Sequence, residues 1–324
     1  MHTILVTGGA GYIGSHTVKR LLDAGYKVIV ADDLSTGHAS AVDKRAVFYQ
    51  LDVRDNQAFG NVLDQEQVEA VLHCAGKIVV SESVKEPLKY FHHNVSGLNE
   101  VLKVVAEKGI KKFMFSSTAS IYGNNCFNIK AVETTQVAPT NPYAASKHIG
   151  EQMIHWVSER YQMNYVIFRY FNVAGAEMDA SNGLRTENPT HLVPSINLTL
   201  LGKRPVFEIF GDDYQTADGT CIRDYIHVCD LARAHQLGMD YLFNGGQSTV
   251  FNLGTEQGYS VKQVADTAER ITGIPLNVKI SERRSGDPDF VLANAGKARE
   301  RLDWVPEHSL EEIIQSDFHW RKQF

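Results

Sequence analysis

Gly8, Gly11 and Gly14 follow the apolar run "TILVT" at Gly-x-x-Gly-x-x-Gly spacing and lead into the helix-patterned "YIGSHTVKRLL". A strand must enter this turn and a helix must leave it. The first glycine permits the tight turn, the second lets a phosphate approach the backbone, and the third lets helix and strand pack closely. The helix start then turns N–H groups and a positive dipole end toward an anion. The second apolar run, "KVIVAD", ends at Asp32, 18 residues after Gly14. A carboxylate there is placed to bond the ribose hydroxyls of a dinucleotide and would repel a 2′-phosphate, which favours NAD over NADP. Asp33 is adjacent and can share that role. Asp52, after the third run, is placed to reach adenine; it reads equally as a simple strand-end carboxylate.

Further short apolar runs, "AVFYQLD", "AVLHCAG", "KFMFSS" and "NYVIFRYFN", alternate with helix-length amphipathic segments. Such runs, with little alternation inside them, suit strands covered on both faces. In "NVSGLNEVLKVVAEKGI", Val95, Leu98, Val101, Leu102 and Val105 form one apolar stripe and Gly109 supplies a stop. The expected fold is α/β: a doubly wound Rossmann-type parallel sheet with a smaller C-terminal α/β substrate domain. The first domain is expected over 1–174, with part of 220–253 returning to it, and the second over 175–324. "VFNLG" near 250 reads as one further strand.

Composition narrows the function. The 324 residues carry a net charge of −6 with no Lys/Arg-dense stripe, which argues against a nucleic-acid partner. No uncharged apolar run approaches bilayer length, and "MHTILVTGG" lacks the basic start of a signal peptide. Cys74, Cys126, Cys221 and Cys229 form no C-x-x-C pair, the pattern of reduced thiols in a cytoplasmic protein. His92 and His93 would point in different directions on a helix, and no metal site is expected.

"TNPYAASKHIGEQM" sets Tyr143 four residues before Lys147, on one helix face. The pair alone is compatible with chance. Beside a dinucleotide site it gains meaning, because the ammonium and an oxidised nicotinamide would both stabilise a phenolate and make the tyrosine a base near neutral pH. "KFMFSSTASIYG" brings Ser116, Ser117 and Thr118 to the carboxyl end of a predicted strand, where ligands bind in such sheets. These hydroxyls could equally cap a turn. Thr118, three residues into the turn, is the expected substrate contact.

"TGGAGYIGSH", "FSSTASIYG", "NPYAASK" and "RYFNVAGA" resemble the extended short-chain dehydrogenase/reductase family. "IFGDDYQTADGTCIRDYIHVCDLARAH" resembles, more specifically, its UDP-hexose 4-epimerases, and the likeness runs from about residue 3 to 304. The resemblance implies interconversion of UDP-galactose and UDP-glucose by transient oxidation at sugar C4, with tightly bound NAD, in a homodimer. It implies that Thr118 and Tyr143 flank the sugar 4-hydroxyl and that Lys147 binds the nicotinamide ribose. Tyr12, Ile13, Val53, Asn94 and Tyr170 become further cofactor contacts. Asn172, Arg223 and Arg284 become diphosphate contacts, Asp287 a uridine-ribose ligand, Phe210 the aromatic near uracil, and Leu192 a further substrate contact. Arg forks suit two phosphate charges, although surface ion pairs with Asp224 and Asp287 would explain arginines there too.

Three positions depart from the family. A lysine common at the position of Ile78 is absent, with Lys77 one place earlier. His191 stands for an asparagine near the diphosphate. Val291 stands for a bulky tyrosine found in some members, leaving room for an N-acetyl group. A 4,6-dehydratase would carry Asp-Glu after the threonine; Ala119 and Ser120 stand there instead. A non-catalytic NAD sensor would have no need of Thr118, Tyr143, Lys147 and the arginines together.

Overall fold

The computed structural model describes residues 1–186, 189–284 and 287–323. In chain order its strands are β1 (Thr3–Thr7), β2 (Lys27–Asp32), β3 (Val47–Gln50), β4 (Ala70–His73), β5 (Lys112–Ser116), β6 (Lys130–Ala131) and β7 (Asn164–Tyr170). There follow β8 (Asn172–Ala174), β9 (Phe207–Phe210), β10 (Ile222–His227), β11 (Thr249–Leu253), β12 (Gly258–Ser260), β13 (Val278–Ser281) and β14 (Phe290–Ala293). All six strands expected in the first half form, and "VFNLG" supplies β11.

The chain divides into two compact units. Unit 1 comprises Met1–Gly123, Gln136–Arg169 and Ala232–Phe251. Its seven-stranded sheet has the order β11-β7-β5-β4-β1-β2-β3, and the pairings from β7 to β3 are parallel. The order reverses between β1 and β4, so a crevice opens at their carboxyl ends, where the Gly8 turn and the Cys74–Gly76 turn leave the sheet. Leu5, Ile29 and Val71 of the sheet pack with Phe59, Leu98, Val105 and Ile154 of the flanking helices in a core closed to water. That burial on both faces is why these strands read as unbroken apolar runs.

The apolar stripe ending at Gly109 needs one correction. The α-helix begins at Gly97, and Phe91–Ser96 before it is a π-helical turn. Leu98, Val101, Leu102 and Val105 are buried, but Val95 lies in the wider turn and is only half-buried. An inserted residue rotates everything before it off the stripe, and such turns occur mostly at functional sites. Gly109, at φ +70°, stops the helix as expected.

Unit 2 comprises Asn124–Thr135, Tyr170–Leu231 and Asn252–Phe324. It takes in residues from Tyr170, a few before the expected boundary, and the 124–135 segment, which the expectation left in the first domain. Of 220–253, residues 232–251 lie in unit 1 and the β10 stretch does not. β10 is the spine of unit 2: it pairs in parallel with β8 and β14 and antiparallel with β12. β9 and β13 form a separate parallel pair. Helices Leu192–Leu200, Val261–Thr272 and Leu310–Arg321 supply Val193, Ile196, Val264, Ile313 and Phe318 to its core.

Candidate active site

The glycine turn leaves no room for a side chain at Gly8 or Gly14. Gly8 has φ +70°, and a Cβ on it would stand 2.6 Å from the Ala75 nitrogen. A Cβ on Gly14 would stand 2.2 Å from the Gly8 carbonyl oxygen. Gly11 is the N-cap of the Tyr12–Asp23 helix and contributes no capping side chain. Tyr12 and Ile13 form its first turn. Asp32, at the end of β2, is buried; one oxygen accepts the Ala10 N–H at 2.9 Å and the other the Leu34 N–H at 2.8 Å. Each oxygen keeps acceptor capacity for a ribose hydroxyl. Burial raises its pKa against those two bonds. These features fit a dinucleotide: a backbone cradle beside a fixed carboxylate.

Asp33 is exposed and accepts the Ser35 N–H at 2.8 Å on one oxygen. Asp52 is gripped by Arg54, whose Nε lies 2.9 and 3.0 Å from its two oxygens, and that bond holds its pKa low. Val53 packs against the unit 1 core. Ile78 is 54% exposed, whereas Lys77 reaches back so that its Nζ lies 3.4 Å from Ser35 Oγ, in the loop after β2. Asn94, buried in the π-helical turn, fixes that lysine's backbone: Oδ1 accepts Lys77 N–H at 2.8 Å, and Nδ2 donates to Lys77 O at 3.0 Å and to Ser146 Oγ at 2.9 Å. Gly76, at φ +153°, leaves space for Asn94, whose Oδ1 would lie 2.9 Å from any Cβ there.

"TNP" explains where Tyr143 stands. Asn141 caps the Pro142–Tyr161 helix by accepting the Ala144 N–H at 2.9 Å, and Pro142 occupies the first turn. Tyr143 is thus in the first turn, where the helix dipole favours an anion. Its ring meets Tyr90 edge-on at 6.5 Å. Thr118 follows β5 by two residues; its Oγ1 accepts the Ser120 N–H at 3.2 Å and its side chain hydrogen-bonds the Tyr143 phenol. Lys147 is buried, donates to Ser116 O at 2.8 Å and lies over the Phe115 ring at 4.7 Å.

One expectation is reversed here. Lys147 does not lower the Tyr143 phenol in the protein alone. Burial pushes the phenol up to about 12, with the Thr118 bond pulling the other way. Burial also draws Lys147 down to about 8, with Cys74 and Glu151 holding it up. Desolvation is the largest influence on each group, because both are buried. A base at neutral pH therefore requires a further positive charge, such as an oxidised nicotinamide.

In unit 2, Arg223 of β10 donates from Nη2 to Asp287 Oδ1 at 2.6 Å, and Tyr214 Oη donates to Asp287 Oδ2 at 3.0 Å. Arg284 lies over the Phe210 ring at 4.2 Å. Val291 is the β14 partner of Arg223, and Asn172 is the exposed first residue of β8, which pairs β10 on its other side. His191 is the exposed N-cap of the Leu192–Leu200 helix. Asp224 pairs with neither arginine. It is fully buried and accepts the N–H groups of Thr255 (2.7 Å), Glu256 (3.1 Å) and Ala293 (3.0 Å), pinning β10 to β14 beside Arg223. Tyr170 ends β7. Sequence reasoning missed Tyr214, Ser146 and Gly76, whose roles are contacts between segments distant in the chain.

Residues 4–254 match the NAD dependent epimerase/dehydratase family. The UDP-glucose 4-epimerase of Halalkalibacterium halodurans is 46% identical over 99% of this chain and 96% of its own. The Brucella ovis UDP-glucose 4-epimerase, solved in complex with NAD, has a TM-score of 0.96 at 38% identity, covering 99% of this chain and 98% of that one. The UDP-Glc/GlcNAc 4-epimerase of Campylobacter jejuni has a TM-score of 0.88 at 38% identity, covering 100% of each chain. A likeness that extends past the dinucleotide half through β10 and β14 is more specific than the glycine turn: the chain belongs to the UDP-glucose 4-epimerases of the NAD dependent epimerase/dehydratase family.

Proposed function

We propose that this chain interconverts UDP-galactose and UDP-glucose without net redox change, holding NAD throughout. The observation that carries the reading is the buried trio of Tyr143, Thr118 and Lys147 at the same sheet end as the glycine cradle. Unit 1 is the NAD-binding half: Gly8, Gly11, Tyr12, Ile13 and Gly14 face the diphosphate and Asp32 the adenosine ribose. Asp52 and Val53 lie toward adenine, Asn94 completes the unit 1 contacts, and Lys77 stands in for the lysine absent at Ile78; the family resemblance makes Tyr170 a further cofactor contact. When bound, NAD would supply the hydride acceptor for oxidation at sugar C4 and the hydride donor for its return.

Tyr143 removes the 4-hydroxyl proton and later restores it, Thr118 hydrogen-bonds the same oxygen, and Lys147 binds the nicotinamide ribose. Unit 2 is the UDP-sugar half. Arg223, Arg284 and Asn172 hold the diphosphate, with His191 and Leu192 beside it; Phe210 packs on uracil and Asp287 takes the uridine ribose. Inversion requires the 4-ketose to turn over while the nucleotide stays fixed, so binding energy is concentrated on UDP, remote from the reacting carbon.

Val291 leaves space for a 2-acetamido group, and we extend the proposal to UDP-GlcNAc and UDP-GalNAc. Four cysteines, none in a disulfide among the described residues, fit a cytoplasmic setting. Among the same residues no helix is long and apolar enough to cross a membrane. The family resemblance extends the reading to a homodimer. The test is to incubate purified protein with UDP-galactose and no added oxidant or reductant. UDP-glucose should accumulate to equilibrium; retained NAD without any UDP-glucose would refute the reading.

A further inference from the structure

The Pro142–Tyr161 helix buries a third ionisable group on the face that carries Tyr143 and Lys147. Glu151, one more turn along, is 6% exposed. Arg169 of β7, 7% exposed, forks onto it: Nε donates to Oε1 at 3.1 Å and Nη2 to Oε2 at 2.6 Å. Ser117 Oγ donates to Oε1 at 2.5 Å, while the Ser117 N–H donates to Phe168 O at 2.8 Å. The remaining arm of Arg169 donates from Nη1 to Tyr122 Oη at 3.0 Å. One carboxylate thus binds the helix of Tyr143 to β7 and to the residue immediately before Thr118.

A buried ion pair of this kind is weak evidence for stability, because removing two charges from water costs about what their attraction returns. Apolar residues of the same volume would fill the space. They would not fix how far the helix slides along the strand ends, because dispersion has no direction, whereas a forked carboxylate with a third donor has one acceptable geometry. Sliding matters here: Tyr143 and Thr118 meet across that same junction. We propose that Glu151, Arg169 and Ser117 are positioning residues that set the Tyr143 hydroxyl against Thr118 and hold Lys147 in place between them. This rests on the epimerase reading above.

Lys147 is faced by His73 and Cys74 from the end of β4 and by Glu151 from its own helix. Removing the Glu151 charge therefore has an electrostatic consequence as well as a geometric one.

The experiment starts from wild-type holoenzyme turning over UDP-galactose; absence of that activity would sink the epimerase reading and not the network. Ser117→Ala deletes one hydrogen bond and no charge, and should lower kcat roughly tenfold with KM and bound NAD unchanged. Arg169→Lys keeps the charge but not the fork, and should fall in the same direction. The paired replacement Glu151→Gln/Arg169→Met, which leaves no lone buried charge, should lower kcat roughly a hundredfold and move the alkaline limb of the kcat–pH profile down by about half a unit or more. Wild-type kcat in Ser117→Ala and in the paired variant would overturn the proposal. So would losses of kcat, UDP affinity and bound NAD in equal proportion, which would mark a merely structural role.

Discussion

Replacing Lys147 by methionine should stabilise the nucleotide-free protein at pH 7 and cease to do so at high pH. Lys147 is buried with its ammonium drawn from the ordinary 10.5 to about 8. That gap corresponds to about 3 kcal/mol, since each tenfold change in proton affinity is about 1.4 kcal/mol. The sign follows from proton counts. Below pH 8 both folded and unfolded chains carry the proton, and the native state bears the full desolvation cost. Between pH 8 and 10.5 the unfolded chain holds a proton that the native chain has released, so wild-type stability rises with pH. Above 10.5 the cost is gone. Methionine has nearly the same length and no charge, but it abandons the 2.8 Å bond to Ser116 O, a loss of about 1 kcal/mol. The variant should therefore be more stable by about 2 kcal/mol at pH 7, and the order should reverse near pH 10. Urea unfolding of both proteins, stripped of nucleotide, at a series of pH values measures it. A difference that stays level from pH 7 to 10, or a less stable variant at pH 7, would refute the reasoning that burial sets the Lys147 proton affinity.

Tyr143→Phe should retain NAD and UDP-galactose yet lose at least about a hundredfold in turnover, read from initial rates and equilibrium binding. Because the phenol lies near 12 in the protein alone, tyrosinate absorbance should appear at lower pH when NAD+ is bound than when it is absent; identical titrations would contradict the charge argument. Gly14→Ala sets a methyl 2.2 Å from the Gly8 carbonyl and should cost about 3 kcal/mol or more, with purified protein carrying no NAD by absorbance. Arg223→Lys preserves charge but not the planar fork, and should raise KM for UDP-galactose roughly tenfold while leaving NAD content untouched.

The sheet of unit 1 was open to sequence reading because each of its determinants is local. An apolar run covered on both faces, two glycines (Gly8 and Gly14) where a Cβ would collide with backbone, and Asn-Pro before Tyr143 are each legible in short stretches of sequence. Val95 shows where periodicity fails: a single wide turn shifts the register, and no pattern in "FHHNVS" announces it. The contacts that shape the site were less accessible. Asn94 reaches Lys77 and Ser146, Asp224 reaches Thr255 and Ala293, and Arg223 reaches Asp287, all across long stretches of chain.

Tyr143 and Lys147 themselves illustrate a subtler limit. Their spacing foretold that they would share a helix face, and they do. It could not foretell which of two opposing effects would win, because attraction depends on separation while desolvation depends on everything packed around the pair. In the folded chain desolvation wins, and both groups are displaced toward their neutral forms. The consequence is functional. On the proposed reading, a phenol pushed up by burial needs a further positive charge before it serves as a base, and an oxidised nicotinamide would supply it. On that reading the site would remove a proton only when hydride has somewhere to go.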